Sequence, residues 1–421
     1  MRILFLSHYF PPEVNAPASR TYEHAKHWVR EGHEVTVVTC APNHPDGVLY
    51  EGYRNRLWQR ETIDGIKVVR LWTFLAPNKG FGRRSANYLS FLSSATCAAP
   101  LLPEADVVVA TSPQFFCGLA GFPVRTLRRI PWVLEIRDLW PESIQTVGAM
   151  ENRSALRFLQ SLERWAYRRA DHIVSVTDSF VPHIVGAGAR REKVTVIKNG
   201  VDLTQFHPTT PDSALLSELG LAGKFVAAYI GTHGMAHGLD TVLEAARLLS
   251  TTPDIAFLLV GGGADRERLL ARRDAMGLTN VVMLEQQPKA AISRFWAAAN
   301  ACLIPLRRTD TFKTVIPSKL FEAMGMAVPI VLGVDGESRA LLERAEAGIY
   351  VEPENPAALA EAVSNLARNP ALGPTFGARG RAFVERFFDR QSLALRYLEL
   401  LEQVVQGRRS KEPAVELTPS R

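Results

Sequence analysis

Residues 225–239 read Phe225-Val226-Ala227-Ala228-Tyr229-Ile230-Gly231-Thr232-His233-Gly234-Met235-Ala236-His237-Gly238-Leu239. A short, continuously apolar run has the form of a strand buried on both faces, as in a parallel sheet covered by helices. Glycines at 231, 234 and 238 end that run, and a helical pattern begins at Leu239. Strand, glycine turn and helix make the repeating unit of a doubly wound α/β domain. Such a turn lets backbone amides approach a phosphate closely. An ordinary tight connection between strand and helix has the same composition.

The same grammar extends in both directions. Upstream, strands are expected at 2–7, 34–39, 67–72, 106–110, 132–136, 172–176 and 194–197, with helices at 18–31, 83–98, 116–129, 153–170 and 178–186. After Asn199-Gly200-Val201-Asp202 and a loop holding Pro208 and Pro211 the alternation restarts. Strands follow at 225–230, 256–260, 281–284, 301–304, 329–332 and 348–351, with helices at 239–250, 265–276, 289–298, 317–325, 337–345 and 356–368. A chain of 421 residues exceeds what one core usually supports, so two domains are expected. The boundaries read as 1–198, 199–387, a helix over 388–406 returning to the first domain, and a polar tail over 407–421.

Composition excludes several classes. Apolar content of 47% and charged content of 22% fit an ordinary globular protein. The net charge of +6 is uneven: residues 1–198 hold 25 Lys/Arg against 18 Asp/Glu, and the remainder is nearly balanced. A basic first half suits an anionic partner, a membrane surface included, or a solvated surface. The four cysteines, Cys40, Cys97, Cys117 and Cys302, contain no C-x-x-C pair and read as free thiols. Met1–Ser7 reads as a buried strand rather than a signal peptide. The stretch 88–102 falls short of the roughly 20 apolar residues of a spanning helix. No Asp-x-Asp, Walker loop, Ser-His-Asp arrangement or nucleic-acid module stands out, so neither a metal, a cofactor nor nucleic acid is expected.

The most informative local stretch is Thr314-Val315-Ile316-Pro317-Ser318-Lys319-Leu320-Phe321-Glu322. Pro317 suits a first helical turn. Free amides of Val315, Ile316, Ser318 and Lys319 at a helix start attract anions, and Lys319 adds positive charge. Glu322 lies three residues on, sharing a face with Lys319. A cation for phosphate and a carboxylate for hydroxyls suit a nucleoside diphosphate; a surface Lys–Glu pair on a capped helix is the alternative. His233 and His237 lack the companions of a metal site.

Taken with Phe10-Pro11-Pro12, Asn199-Gly200-Val201-Asp202, Gly261-Gly262-Gly263 and Ser318–Met324 before Val328-Pro329, the sequence resembles the retaining glycosyltransferase family 4. The resemblance covers nearly the whole chain and implies the GT-B fold: two Rossmann-like doubly wound α/β domains facing a cleft. Stretches Glu135–Ser143 and Gly231–Gly238 are similar to the WbuB-like branch, N-acetyl-L-fucosamine transferases of surface polysaccharide assembly. The resemblance implies a nucleotide-sugar donor, a UDP-sugar above all, and a lipid-linked or glycan acceptor. It also implies a metal-independent, retaining reaction in the cytoplasm at the inner face of the membrane. Arg137, Asp138 and Lys319 are the implied catalytic residues. The implied donor set is Asn15, Gly231, Thr232, His233, Gly234, His237, Gly262, Thr314, Val315, Ile316, Pro317, Ser318, Lys319 and Glu322.

Three departures stand out. Glu322 matches the second of two family glutamates, but Thr314 occupies the first position. Thr232 and His237 stand where the family often has an arginine and a lysine. Arg137 replaces a common histidine. A UDP-sugar 2-epimerase of the same architecture and a non-catalytic nucleotide-sugar-binding protein are the competing readings. The basic 79–94 segment, with Lys79, Arg83 and Arg84 ahead of Tyr88, Leu89, Phe91 and Leu92, is the expected membrane-docking element.

Overall fold

A computed structural model describes residues 1–77, 81–112, 114–141 and 152–409. Glu142, Ser143, Lys79 and most of the expected tail lie outside these residues. The chain divides into two units, Met1–Lys198 with Gln391–Arg421, and Asn199–Arg390.

The first unit holds strands β1 (Arg2–Leu6), β2 (Glu34–Cys40), β3 (Trp58–Ile63), β4 (Ile66–Leu71), β5 (Val107–Thr111), β6 (Trp132–Ile136), β7 (His172–Ser175) and β8 (Val194–Val196). They form one sheet in the order β3-β4-β2-β1-β5-β6-β7-β8. All pairs are parallel except β3 with β4. Alternate side chains feed opposite cores: Ile3 and Phe5 pack on one face of the sheet, Leu4 and Leu6 on the other. Helix Arg390–Arg409 packs on the first of these faces, where Trp28 Nε1 donates to the Ala394 carbonyl at 2.8 Å.

β3 was absent from the expected strands. Its pattern, Trp-Gln-Arg-Glu-Thr-Ile, is polar and half exposed, because an edge strand need not be apolar on both sides. Asp64-Gly65, both with positive φ, makes the tight hairpin turn.

The second unit holds β9 (Phe225–Ile230), β10 (Ile255–Val260), β11 (Val281–Leu284), β12 (Ala301–Pro305), β13 (Ile330–Gly333) and β14 (Gly348–Tyr350). All are parallel, in the order β11-β10-β9-β12-β13-β14. Numbered within the unit this is 3-2-1-4-5-6, the Rossmann order. The order reverses between β9 and β12. In such sheets ligands bind beyond the carboxyl ends of the strands at that reversal. Two segments leave there: the glycine turn after Ile230, and the loop from Leu306 to Pro317 that enters helix Ser318–Gly325.

The expected amphipathic helices bury their apolar stripes. On helix Arg153–Arg169, Leu159, Glu163, Ala166 and Tyr167 are buried. On helix Phe81–Ala98, Tyr88 (7% exposed) and Phe91 (0%) belong to the core. This corrects the membrane expectation for those two side chains. Residues three and four apart share one helical face, and here that face covers the sheet.

Candidate functional site

Two glycine turns are stitched together at the carboxyl ends of β9 and β10. His233 N donates to the Gly262 carbonyl (2.8 Å), and Asp265 N donates to the His233 carbonyl (3.0 Å). A β-carbon on Gly261, at φ +154°, would lie 1.9 Å from the Gly231 carbonyl oxygen. Only glycine allows the two backbones to approach this closely.

Lys319 reaches this junction from the first turn of helix Ser318–Gly325. It is 8% exposed. Its Nζ lies 3.5 Å from the centre of the Tyr229 ring. A β-carbon on Gly231 would stand 2.8 Å from the same atom. The Tyr229 hydroxyl donates to the Thr232 carbonyl (2.6 Å), which fixes the ring under the ammonium. Lys319 Nζ has no hydrogen-bond partner among the described residues. A buried ammonium supported only by a ring face is poorly compensated. Burial pushes the Lys319 pKa down to about 7, against smaller upward contributions from Cys302 and Glu322. The site therefore holds a cation short of an anion.

The histidines do not supply one. His233 is fully buried with neither ring nitrogen bonded among the described residues. Burial first, then Arg266 and Lys319, push its pKa down to about 4. Burial first, then Lys319 and His233, push His237 down to about 3. Both are neutral at pH 7 and lie beside Tyr229, His233 tilted and His237 edge-on, with ring centres at 5.8 and 6.0 Å.

Glu322 is half-buried one turn beyond Lys319 and accepts from Trp296 Nε1 at 3.4 Å. Burial raises its pKa, opposed by that bond and by Lys319. Thr314 ends a short turn and donates its hydroxyl to the Thr311 carbonyl (2.8 Å). One expected donor is corrected: the Val315 amide bonds the Phe312 carbonyl (3.3 Å), because a 3-10 turn precedes the helix. The Ser318 and Lys319 amides stand in the first turn, where no intrahelical acceptor exists.

Sequence reasoning missed Arg307. It is exposed on the loop after β12 and donates its amide to the Ala236 carbonyl (3.0 Å). Its Cγ lies 3.7 Å from where a β-carbon on Gly238 would sit. Its side chain makes no ion pair or hydrogen bond among the described residues. Nothing local in Leu306-Arg307-Arg308 signals this, since only the β9–β12 adjacency brings the loop to the turn.

Asn15, Arg137 and Asp138 belong to the first unit. Asn15 Oδ1 caps helix Ala16–Arg30 through the Ala18 amide (2.9 Å). Arg137 follows β6; its amide donates to Ser112 Oγ (2.8 Å) and its guanidinium to the Ala16 carbonyl (3.2 Å). Arg137 and Asn15 are thus neighbours around one helix start. The fully buried ion pair here is Arg20 with Glu135, at 3.0 Å. Among the described residues no cluster of three or more His, Cys, Asp or Glu could hold a metal ion.

Residues 15–200 match the family described as Glycosyl transferase 4-like domain, and residues 224–369 match Glycosyl transferases group 1. The chain belongs to the GT-B glycosyltransferases. This transferase is 24% identical over 411 residues to the glycosyl transferase WcaI of Escherichia coli (strain K12), assigned by name to colanic acid biosynthesis, covering 94% of this chain and 99% of that one. Its fold is similar to sucrose-phosphate synthase from Thermosynechococcus elongatus, with a TM-score of 0.77 at 19% identity, over 96% and 99% of the two chains. It is likewise similar to Anabaena HepE in complex with UDP and glucose, with a TM-score of 0.71 at 20% identity, over 96% and 99%. These similarities do not favour the epimerase reading of the transferase.

Proposed function

We propose that the chain transfers a sugar from a UDP-sugar, with retention of configuration and without a metal, to a lipid-linked or glycan acceptor in surface polysaccharide assembly. The observation that carries the reading is the buried, unpaired Lys319 ammonium at the glycine junction of the second unit. A diphosphate arriving there supplies the missing anion. The departing phosphate gains charge in the transition state, and a fixed ammonium with loop amides stabilises that charge without reorganising. Arg307 offers a second cation and takes over from the arginine and lysine that Thr232 and His237 replace. Glu322 accepts hydrogen bonds from ribose hydroxyls. UDP in the similar HepE and the colanic acid assignment of WcaI support the donor and the pathway class. The Gly231–Gly238 and Glu135–Ser143 stretches support the WbuB-like branch, whose donor is UDP-N-acetyl-L-fucosamine.

No described helix is long and apolar enough to cross a membrane. Peripheral contact at the inner face is supported by a different surface. Trp72 (39% exposed), Phe74 (39%) and Leu89 (45%) are joined through Phe74 N to Ser90 Oγ (2.8 Å) and Ser94 Oγ to the Trp72 carbonyl (2.7 Å). Exposed Arg83 lies on the same helix as Leu89. Exposed aromatic side chains suit a lipid interface, and basic residues such as Arg83 suit an anionic one.

The test is a binding and turnover screen of UDP-, GDP- and TDP-sugars with membrane extract, in EDTA. UDP-sugars should bind and turn over, and the product should keep the donor's anomeric configuration. Failure of every nucleotide to bind, or activity restored only by Mn²⁺ or Mg²⁺, overturns the reading.

A further inference from the structure

His237 stands at the glycine junction of the second unit with its polar atoms unused. It closes the 3-10 turn Met235–His237, and its amide donates to the Gly234 carbonyl at 3.0 Å. Gly238 follows in the left-handed region, at φ +56°, and turns the chain into helix Asp240–Leu248. The imidazole is thereby held at the junction rather than carried off on the helix. A β-carbon on Gly234 would stand 3.5 Å from His237 Cδ2, so the ring packs across its own turn.

The groups that face this imidazole come from four segments. Tyr229 on β9 lies edge-on, 6.0 Å away between ring centres. His233 belongs to the same glycine turn and is itself neutral, with its pKa pushed down to about 4. Lys319 arrives from helix Ser318–Gly325 over the same Tyr229 ring. Arg307 packs from the loop after β12 against the adjoining Gly238. No carboxylate is among them. His237 is half-buried, and neither of its ring nitrogens has a hydrogen-bond partner among the described residues.

Two forces keep the ring neutral in the free protein. Burial disfavours the imidazolium, and the Lys319 charge beside it does the same, so the pKa is pushed down to about 3. The second force reverses when an anion arrives. An opposite charge within about 4–6 Å favours the charged form of a titrating group. A diphosphate seated on Lys319 brings two phosphates, and it neutralises the ammonium that opposed the imidazolium. A lysine at position 237 would hold its charge in the empty site, where it would repel Lys319 and Arg307. A histidine adds its charge only when there is an anion to meet it.

We infer that His237 is a conditional phosphate ligand: neutral in the empty site, and protonated from solvent to donate a charge-assisted hydrogen bond once a diphosphate is bound there. The proton returns to solvent when the diphosphate leaves. The inference rests on the donor reading of the Lys319 site and adds the source of part of its positive charge.

The experiment titrates UDP into wild type, His237→Gln and His237→Lys by calorimetry, at pH 6 and pH 8, in two buffers of different ionisation enthalpy. At pH 6 Lys319 largely carries its proton already, because its pKa is about 7. The titration of UDP itself is common to all three proteins. The difference in proton uptake at pH 6 therefore reports the ring. Wild type should take up roughly half a proton more than His237→Gln at pH 6. It should also bind UDP about fivefold or more tighter there, as a charge-assisted bond requires. At pH 8 the two affinities should converge to within about twofold. His237→Lys should match wild type at pH 6 without the extra uptake, and keep its advantage over His237→Gln at pH 8. A side chain that merely packs would change affinity equally at both pH values, and melting curves of each protein record any loss of stability. Equal uptake in wild type and His237→Gln at pH 6, or an affinity ratio that does not change with pH, overturns the inference and leaves the donor reading standing. If none of the three proteins binds UDP, the donor reading falls and the inference with it.

Discussion

Lys319 Nζ stands 3.5 Å from the centre of the Tyr229 ring, and no described side chain or carbonyl accepts a hydrogen bond from it. Tyr229 lies on strand β9, and Lys319 on the helix that crosses from β12 to β13. Their contact makes the free protein carry a desolvated charge that a diphosphate would compensate.

That charge gives a prediction in pH. The folded Lys319 pKa, about 7, lies below the ordinary 10.5. Between those values the unfolded chain binds more protons than the folded one, so stability of the free protein rises with pH across that window. Lys319→Met should flatten this rise in urea titrations at pH 7 to 10 and raise stability at pH 7. UDP binding should take up a proton at pH 8 in wild type and lose that uptake in Lys319→Met, measured calorimetrically in two buffers. Loss of affinity in the mutant should be about tenfold to a hundredfold, from about 1.5–3 kcal/mol of charge-assisted bonding. Equal proton uptake in both proteins would remove Lys319 from the phosphate site.

Glu322 provides a separate reading of the nucleoside. Glu322→Ala should weaken UDP roughly tenfold or more, by the same magnitude of charge-assisted bonding. It should also erase discrimination between UDP and its 2′,3′-dideoxy form. A folded mutant that still discriminates places the ribose elsewhere. Glu322→Ala also strips the Trp296 indole of its acceptor, so its melting temperature must be recorded alongside.

Gly261→Ala tests the stitched turns. Its β-carbon would meet the Gly231 carbonyl at 1.9 Å, so one turn must move. Overpacking of this kind costs about 1–3 kcal/mol, read as a lower denaturant midpoint. UDP affinity should fall with it, because Gly231 borders the Lys319 ammonium. Wild-type stability and affinity in this variant would refute the close packing.

The lipid surface has its own test. Anionic liposomes should retain wild type at low salt and release it at high salt. Trp72→Ser with Phe74→Ser and Leu89→Ser should abolish retention while leaving UDP affinity unchanged. Equal sedimentation of the variant would remove this patch from the membrane contact.

Much of the architecture is written locally. Continuous apolar runs such as Val107-Val108-Val109 and 225–230 force strands buried on both sides, and strands in that state need helices to cover them. Pro317 and the glycines at 231 and 261 mark where strand gives way to helix, because backbone sterics act within a few residues. Edge strand β3 and helix Ser213–Glu218 escaped that logic. The first is half polar, and the second is only six residues long.

What sequence could not decide is which side chains meet. Lys319 and Glu322 read as a pair on one helical face, yet Lys319 is spent on Tyr229, 90 positions earlier, and Glu322 on Trp296. Tyr88 and Phe91 read as insertable apolar groups, yet they pack on the sheet, while Trp72 and Phe74 beyond β4 stay exposed. Arg307 meets the glycine turn only because β12 pairs with β9, a contact across 74 residues or more. Periodicity and turn chemistry are set by neighbours along the chain, so one sequence determines them. Burial and the pKa values of Lys319 and His237 are set by neighbours in space, and only the crossovers of the two sheets supply those.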